Sequence, residues 1–323
     1  MSNPVVVLTD QVFPDVATER AILAEAGATL TVATGSRADV LALAATADAI
    51  LTTYFPLGAA DIRLLARCTI IARYGIGVDN IDLAAADDMG IAVTNVPDYC
   101  IEEVAAHTVA LLLAVLRRLP EGHQEAVGGR WGVGALRPMQ RPSQLSVGLV
   151  GFGRIARRVA RALRAMDMGV LVHDPYLGAD AGGVETVALD ELLARSDAVS
   201  LHCPLTAQTR GLIGADALRL MKPSSVLVNT ARGPLVHTES VLSALRDGRL
   251  RAAALDVLDR EPPEPGLIAG VPGLLVTPHV AYYSEASLRE SQRKAATQVV
   301  KRLTGRPLDY PVAAGGEVRQ ADR

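Results

Sequence analysis

The stretch SVGLVGFGRIARRVARAL (146–163) decides the fold of this 323-residue chain. An apolar, strand-like run leads into Gly151-Phe152-Gly153, and an alanine- and arginine-rich segment with helical character follows. With Ala156 in the third position, the stretch matches G-x-G-x-x-G/A. In this pattern the glycines permit a tight turn and let backbone amides approach a pyrophosphate at the helix N-terminus, and alanine is accepted where helix and strand pack. The stretch therefore predicts a dinucleotide-binding βα unit.

An acidic residue follows at the spacing that a dinucleotide site requires. Asp174 ends the next strand-like run, VLVHDPY (170–176), at roughly the 20-residue distance expected after the glycines. There it would accept hydrogen bonds from the adenosine ribose hydroxyls and repel a 2′-phosphate, so the sequence predicts NAD rather than NADP. Alone, Asp174 is also typical of a turn before Pro175. The order of strand, glycines, helix, strand and acid favours the cofactor site.

The composition is that of a globular protein with a large core. Half of the residues are hydrophobic and 21% are charged, which excludes disordered and fibrous classes. The net charge is −3 without a basic run, so nucleic acid is not an expected partner. Three separated cysteines predict no metal site and favour a reduced, cytoplasmic protein. The most apolar segment, VAAHTVALLLAVL (104–116), is too short to span a bilayer, so no membrane partner is expected.

Two series of strand-like runs, separated by helical segments, predict an α/β chain with two doubly wound parallel-sheet domains. The first series comprises residues 5–10, 29–34, 49–54, 69–75 and 91–96, and the second comprises residues 146–151, 170–174, 198–204, 225–231, 252–257 and 274–279. The break is expected near NVPDYCIEE (95–103), and the final helical stretch is expected to return to the first domain. We therefore predict a discontinuous domain of residues 1–97 and 284–323, and a dinucleotide-binding domain of residues 98–283.

Candidate catalytic residues follow the strands of the second series. Arg232 comes after SVLVNTA, Asp256 and then Glu261 come after AAAL, and His279 comes after LLVTP. Because ligands bind beyond the carboxyl ends of parallel strands, these side chains are expected to meet at one edge of the sheet.

These groups suit the reduction of a 2-oxo acid. A histidine can pass a proton to a substrate oxygen near neutral pH, and a neighbouring carboxylate would orient its ring and raise its pKa. An arginine fork can bind a carboxylate bidentately and polarise the adjacent carbonyl. We therefore predict His279 as the proton donor, held by Glu261, with Arg232 on the substrate carboxylate. Each residue alone also fits a plainer role, because strand-end histidines are often satisfied polar groups and surface arginines usually form weak ion pairs.

Four motifs carry a family resemblance. NTARG (229–233), DVLDREP (256–262) and TPHVA (277–281), with the glycine loop, resemble the D-isomer-specific 2-hydroxyacid dehydrogenase family, and the similarity covers residues 5–306. RYGIGVDNIDLAAADDMGIAVTNVPDYCIEEVAAH (73–107) and AYYSEAS (281–287) are similar to its C-terminal-binding-protein-like branch. The resemblance implies a flavodoxin-like substrate domain and a Rossmann cofactor domain with a cleft between them. It also implies NAD-dependent interconversion of a D-2-hydroxy acid and its 2-oxo acid, with Arg232, Glu261 and His279 as the catalytic set.

The same resemblance implies binding roles. The substrate would contact Arg73, the amides of Ile76 and Gly77, and Arg232. NAD would be held by Thr108, Gly151, Gly153, Arg154, Ile155, Asp174, Cys203, Thr209, Thr230, Ala231, Asp256 and His279, with Asp256 on the nicotinamide carboxamide. The family dimerises through its cofactor domains, where the apolar helix 105–119 would pack, so a homodimer is expected.

Two other functions stay open on the sequence. The branch includes transcriptional corepressors, so one alternative is an NAD(H)-sensing scaffold, against which the retained arginine, glutamate and histidine argue. The other is a related dehydrogenase that acts on phosphoglycerate, phosphite or formate, since such enzymes share the fold and much of the site. The side chain of the substrate is not predicted by any pattern in the chain.

Overall fold

The computed structural model describes residues 3–177 and 183–313. The chain folds as two compact units. One comprises the residues up to Cys100 together with those from Tyr283 onward, and the other comprises Ile101–Tyr282. Residues 314–323 of the predicted discontinuous domain lie outside the described residues. Across the described ranges, every helix is too short or too polar to cross a membrane.

The first unit begins with five strands that alternate with helices. Strands β1–β5 are Val5–Leu8, Thr29–Val32, Ala49–Thr52, Ile70–Arg73 and Ala92–Thr94, and helices α1–α4 are Ala17–Leu23, Arg37–Ala44, Ala59–Ile62 and Leu83–Asp88. All five predicted strands are confirmed, and each is shorter than its apolar run because the last residues turn into loops at the carboxyl end of the sheet.

The second unit contains seven described strands and six described helices. Strands β6–β12 are Ser146–Val150, Gly169–His173, Glu185–Thr186, Ala198–Leu201, Val226–Asn229, Ala252–Leu255 and Leu274–Val276, and helices α5–α10 are Ile101–Leu116, Leu119–Val127, Arg154–Arg164, Leu189–Arg195, Ala215–Leu220 and Thr238–Arg246. The six predicted strands are confirmed. The sequence does not predict β8, because its two residues are exposed and carry no apolar pattern.

The second sheet is fully parallel, in the order β12-β11-β10-β9-β6-β7-β8. This is the Rossmann strand order, with β6 next to the point where the order reverses. Successive strand residues face opposite sides. In β10, Leu227 packs with α8, α9 and α10 on one face, whereas Val226 and Val228 pack with α5 and α7 on the other. The result is a three-layer α/β/α unit with an apolar core on each face.

The chain returns to the first unit through α11, Glu285–Leu303, and β13, Pro311–Val312. The Ser284 side chain caps α11, and Gln292 Nε2 donates to the buried carboxylate of Glu19 in α1, 3.1 Å from Oε1. The sheet order is β13-β5-β4-β3-β1-β2, parallel except for β13. Without β13 this is the flavodoxin-like order. The predicted pair of doubly wound folds is confirmed.

Candidate active site

Most predicted site residues of the second unit lie at the carboxyl ends of its strands. Because neighbouring strands are parallel, the residues that follow them share one edge of the sheet. Each residue follows its strand by one to three positions: Gly151 after β6, Asp174 after β7, Cys203 after β9, Thr230–Arg232 after β10, Asp256 after β11 and His279 after β12.

The glycine loop has the backbone that a phosphate turn needs. Gly151 has φ +89°, and a Cβ there would lie 2.8 Å from the Cys203 amide nitrogen, so only glycine fits. Gly153 is exposed, and a Cβ there would meet open space. Gly153 is also the N-cap of α7, which no side chain caps. The first-turn amides of such a helix attract anions. The loop therefore fits a pyrophosphate, and Arg154 and Ile155 form the first helical positions beside it.

Asp174 is oriented by two backbone amides. Its Oδ2 accepts from the Phe152 amide of the glycine loop at 2.9 Å, and its Oδ1 accepts from the Tyr176 amide at 3.0 Å. The residue is only half-buried. Each carboxylate oxygen can accept a second hydrogen bond. The acid is thereby fixed beside the glycine loop and keeps acceptor capacity for a ribose hydroxyl pair.

Hydroxyl groups and a neutral thiol line the rest of this edge. Thr108 Oγ1 donates to Val104 O at 2.7 Å, so in its 2.7 Å contact with Thr230 Oγ1 the latter is the donor. Burial raises the pKa of the Cys203 thiol to about 11, which makes Cys203 a neutral contact rather than a nucleophile. Thr209 is half-buried and donates to Pro204 O at 2.7 Å, within its own loop.

The structure brings His279 and Glu261 together. His279 Nδ1 lies 2.7 Å from Glu261 Oε2, while Glu261 Oε1 accepts from the Leu258 amide at 2.8 Å. Burial raises the pKa of the Glu261 carboxyl. The hydrogen bond and charge of His279, the Leu258 amide and the charge of Arg232 together outweigh burial, so the net pKa of Glu261 is below its ordinary value. Glu261 is therefore ionised at neutral pH and accepts the Nδ1 proton of His279.

Arg232 is held on the same edge by its backbone. Its carbonyl accepts from Asn229 Nδ2 at 2.9 Å, and its Nη1 donates to Ala231 O at 2.7 Å. The Ala231 amide donates to Asn229 Oδ1 at 3.0 Å. These hydrogen bonds form a short turn after β10 and fix the backbone position of Arg232.

Gly233 explains how the Arg232 turn meets the Glu261 loop. A Cβ at this position would lie 1.7 Å from Leu258 O, a distance that no side chain tolerates. Leu258 is also the residue whose amide binds Glu261. A glycine after Arg232 is therefore required for the Arg232 turn and the Leu258–Glu261 loop to touch. The NTARG motif contains this glycine, but its reason is visible only in three dimensions.

In the first unit, Arg73 lies beneath the Gly75–Gly77 loop. Its side chain is buried, its Nε donates to Thr53 O at 3.2 Å, and a Cβ on Gly75 would fall 2.0 Å from Nη1. The Ile76 carbonyl accepts from Asn95 Nδ2 at 2.7 Å, which orients the Ile76–Gly77 peptide. The three predicted substrate contacts of this unit are thus adjacent to one another.

More than half of the chain matches the model of a known protein family. Residues 109–281 match the model described as D-isomer specific 2-hydroxyacid dehydrogenase, NAD binding domain. The chain belongs to this family. The match covers the glycine loop, Asp174, Arg232, Glu261 and His279 within one continuous segment.

The proteins to which the chain is similar are named for different substrates. The chain is 37% identical to D-3-phosphoglycerate dehydrogenase of Methanocaldococcus jannaschii over 72% of its own length and 44% of that protein. It is 29% identical to a glyoxylate reductase from Paecilomyes thermophila, with a TM-score of 0.87 over 97% of this chain and 99% of that one. It is 28% identical to D-lactate dehydrogenase from Aquifex aeolicus, with a TM-score of 0.85 over 93% and 96%. The chain spans 44–60% of the length of the curated relatives it matches.

One residue that shapes the candidate site, Asp10, is not predicted from the sequence. Asp10, after β1, accepts from three consecutive amides of the loop after β3: Thr53 at 2.9 Å, Tyr54 at 2.5 Å and Phe55 at 3.2 Å. It thereby fixes the Thr53 carbonyl that binds Arg73. The available signal was a lone acid at the end of the first strand, where carboxyl-end residues deserve attention. Among the described residues, no group of three or more His, Cys, Asp or Glu side chains could hold a metal ion.

Proposed function

We propose that the protein is an NAD-dependent D-2-hydroxyacid dehydrogenase that interconverts a D-2-hydroxy acid and its 2-oxo acid. The observation that carries the proposal is the His279–Glu261 pair at 2.7 Å, on the same sheet edge as Arg232 and the glycine loop. A scaffold that only senses the cofactor has no need of an ionised carboxylate behind a histidine.

The proposed roles follow from the donors and acceptors present. Bound NADH would supply the hydride to the carbonyl carbon. Arg232 would bind the substrate carboxylate with its guanidinium fork and polarise the neighbouring carbonyl. His279, protonated and paired with Glu261, would donate from Nε2 to the carbonyl oxygen, and it would accept the hydroxyl proton in the reverse direction. Arg73 and the amides of Ile76 and Gly77 remain proposed substrate contacts.

The residues present fit the proposed cofactor. Gly151, Gly153, Arg154 and Ile155 would hold the pyrophosphate and Asp174 the ribose. The remaining proposed contacts are Thr108, Cys203, Thr209, Thr230, Ala231, Asp256 and His279.

A substrate panel tests the proposal directly. NADH oxidation is measured with glyoxylate, pyruvate, hydroxypyruvate and 3-phosphohydroxypyruvate, and NAD reduction with the matching D- and L-2-hydroxy acids. We expect turnover with at least one 2-oxo acid and with the D-isomer only. Absence of turnover throughout the panel, with NADH still bound, would favour the scaffold. The phosphorylated substrate is included because relatives at 35–37% identity are named D-3-phosphoglycerate dehydrogenase.

Asp174 is proposed to select NADH. In Asp174→Ala the ribose hydroxyls lose an ionised acceptor, and a hydrogen bond to a charged group contributes about 1.5–3 kcal/mol. We therefore expect the KM for NADH to rise roughly 10–100-fold, while the KM for NADPH changes less because the repulsive charge is gone. Asp190→Ala, at an exposed acid in α8, is the matched control. A parent protein that uses NADPH as well as NADH contradicts the assignment.

We also propose a homodimer formed through the second unit. Residues in and after α6 expose large apolar side chains: Leu119 is 60%, Val127 72%, Trp131 94% and Val133 61% exposed. A groove lined mainly by alanines runs between α5 and α7, with the Glu102–Arg158 ion pair in it. Exposed apolar patches of this kind mark interaction sites. The predicted helix 105–119 is two helices in the structure, since α5 ends at Leu116 and α6 begins at Leu119.

Trp131→Glu tests the dimer. Aromatic residues at interface centres contribute about 2–4 kcal/mol, so we expect the dimer dissociation constant to rise roughly 30–1000-fold. Light scattering after size exclusion measures the mass. Leu64→Glu, at an exposed apolar residue of the first unit, should leave the mass unchanged. A monomeric parent protein at micromolar concentration would refute the proposal.

The three free cysteines fit a cytoplasmic location, which is part of the same proposal. Cys68 and Cys100 are buried thiols, and Cys203 is half-buried. Free thiols persist in a reducing compartment.

A further inference from the structure

The turn that carries His279 is built around Asp256. His279 has φ +53°, a left-handed conformation that is uncommon for a residue with a side chain. Its amide donates to Asp256 O at 2.8 Å, and the next two amides, of Val280 and Ala281, donate to Asp256 Oδ1 at 2.9 Å and Oδ2 at 3.0 Å. Asp256 is 2% exposed. Three consecutive amides thus bind one buried residue, which fixes the direction in which the His279 side chain leaves the backbone.

Thr277 and His107 complete the surroundings of this carboxylate. Thr277 Oγ1 donates to Asp256 Oδ1 at 2.5 Å, and His107 Nε2, from α5, lies 3.0 Å from Thr277 Oγ1. A hydroxyl has one hydrogen, and here the carboxylate takes it. Thr277 therefore offers His107 a lone pair, and His107 must carry its proton on Nε2. His107 Nε2 also lies 3.6 Å from Asp256 Oδ1.

We infer that Thr277 and His107 are positioning residues for the reaction, acting through Asp256 on His279. Neither belongs to the proposed catalytic or cofactor set, and the inference rests on the proposed function. Without the Thr277 hydroxyl, Asp256 Oδ1 loses a donor and His107 loses its link to the carboxylate. The carboxylate then rotates or accepts water, and the amides of the turn follow it. A displacement of about 1 Å at a catalytic group lowers rates by roughly 10²-fold.

Pairs of variants that remove and restore a group at Thr277 and His107 distinguish a positioning role from an effect on protein stability alone. Thr277→Val keeps the shape and removes the hydroxyl, whereas Thr277→Ser restores it. His107→Leu removes the donor, whereas His107→Gln supplies an amide N–H in its place. We expect kcat to fall roughly 10–100-fold in Thr277→Val and His107→Leu, with the KM of the 2-oxo acid and the Kd of NADH within threefold of the parent. The Ser and Gln variants should regain most of the loss. Ser225→Ala, which also removes a buried hydroxyl but at the opposite end of the sheet, should keep the parental kcat.

Amide hydrogen exchange measures the hydrogen bonds of the His279 turn in the absence of substrate. We expect protection at Val280 and Ala281 to fall at least tenfold in Thr277→Val and to return in Thr277→Ser. A parent protein that reduces no 2-oxo acid overturns the proposed function, and exchange then still tests the turn by itself. Unchanged protection in Thr277→Val overturns the inference, as does a parental kcat. A loss of kcat that the Ser and Gln variants do not reverse also overturns it.

Discussion

We expect His279→Ala to lower turnover by roughly 10²–10⁴-fold, the range that general acid–base catalysis contributes. The variant loses the group that would protonate the carbonyl oxygen, while the glycine loop and Asp174 keep their own contacts. The Kd of NADH, measured by fluorescence titration, should therefore change far less than kcat, because His279 is only one of many proposed cofactor contacts. His237→Ala, at an exposed histidine of the same unit that bonds Ser240, is the control and should keep the parental rate.

Glu261→Gln tests the same mechanism with a milder substitution. A glutamine oxygen can still accept from His279 Nδ1, but the charge that stabilises a protonated ring is gone, so its loss should be smaller than that of His279→Ala. In the parent the lowered pKa of Glu261 sets the acid limit of its contribution to stability. Its contribution to stability is fully present above the carboxyl's unfolded pKa and disappears as pH falls through the lowered folded pKa. If the His279→Ala protein reduced 2-oxo acids at the parental rate, His279 would have no catalytic role and would be only a polar residue at the end of a strand.

The sequence predicts the strands and the catalytic trio because both follow from local patterns. Apolar runs between helical segments require a parallel sheet, and a parallel sheet places whatever follows its strands at one edge. This reasoning selects Arg232, Glu261 and His279 as candidate catalytic residues without knowledge of their distances. It misses β13, because two residues that pair antiparallel with β5 leave no periodic signal.

What the sequence does not predict depends on contacts between distant segments. Gly233 is required by Leu258, and the Asp10 carboxylate binds amides more than 40 residues away. Asp256 shows the same limit in another form. The resemblance implies a cofactor contact, and the structure adds that both carboxylate oxygens accept hydrogen bonds from the His279 turn. These hydrogen bonds depend on three-dimensional contacts, whereas the sequence shows only that an acid is present.

Arg232→Lys should affect binding as well as turnover, in contrast to His279→Ala. A lysine keeps the positive charge but presents a single ammonium group, so it cannot reproduce two parallel hydrogen bonds to a carboxylate. Loss of one charge-assisted hydrogen bond corresponds to about 1.5–3 kcal/mol. We therefore expect kcat/KM to fall roughly 10–100-fold, with the KM of the 2-oxo acid raised and kcat lowered.

Arg260→Lys is the matched control, because Arg260 is exposed in the loop that carries Glu261 and pairs only with solvent-accessible Glu264 among the contacts described for it. Steady-state kinetics with the best substrate of the panel, together with competitive inhibition by oxamate, measure the effect. Oxamate offers the same carboxylate and carbonyl without being reduced, so its inhibition constant should rise with KM in Arg232→Lys and change less than kcat in His279→Ala. If oxamate bound the Arg232→Lys protein as tightly as the parent, Arg232 would not hold the substrate carboxylate. The remaining predicted carboxylate contacts are Arg73 and the amides of Ile76 and Gly77.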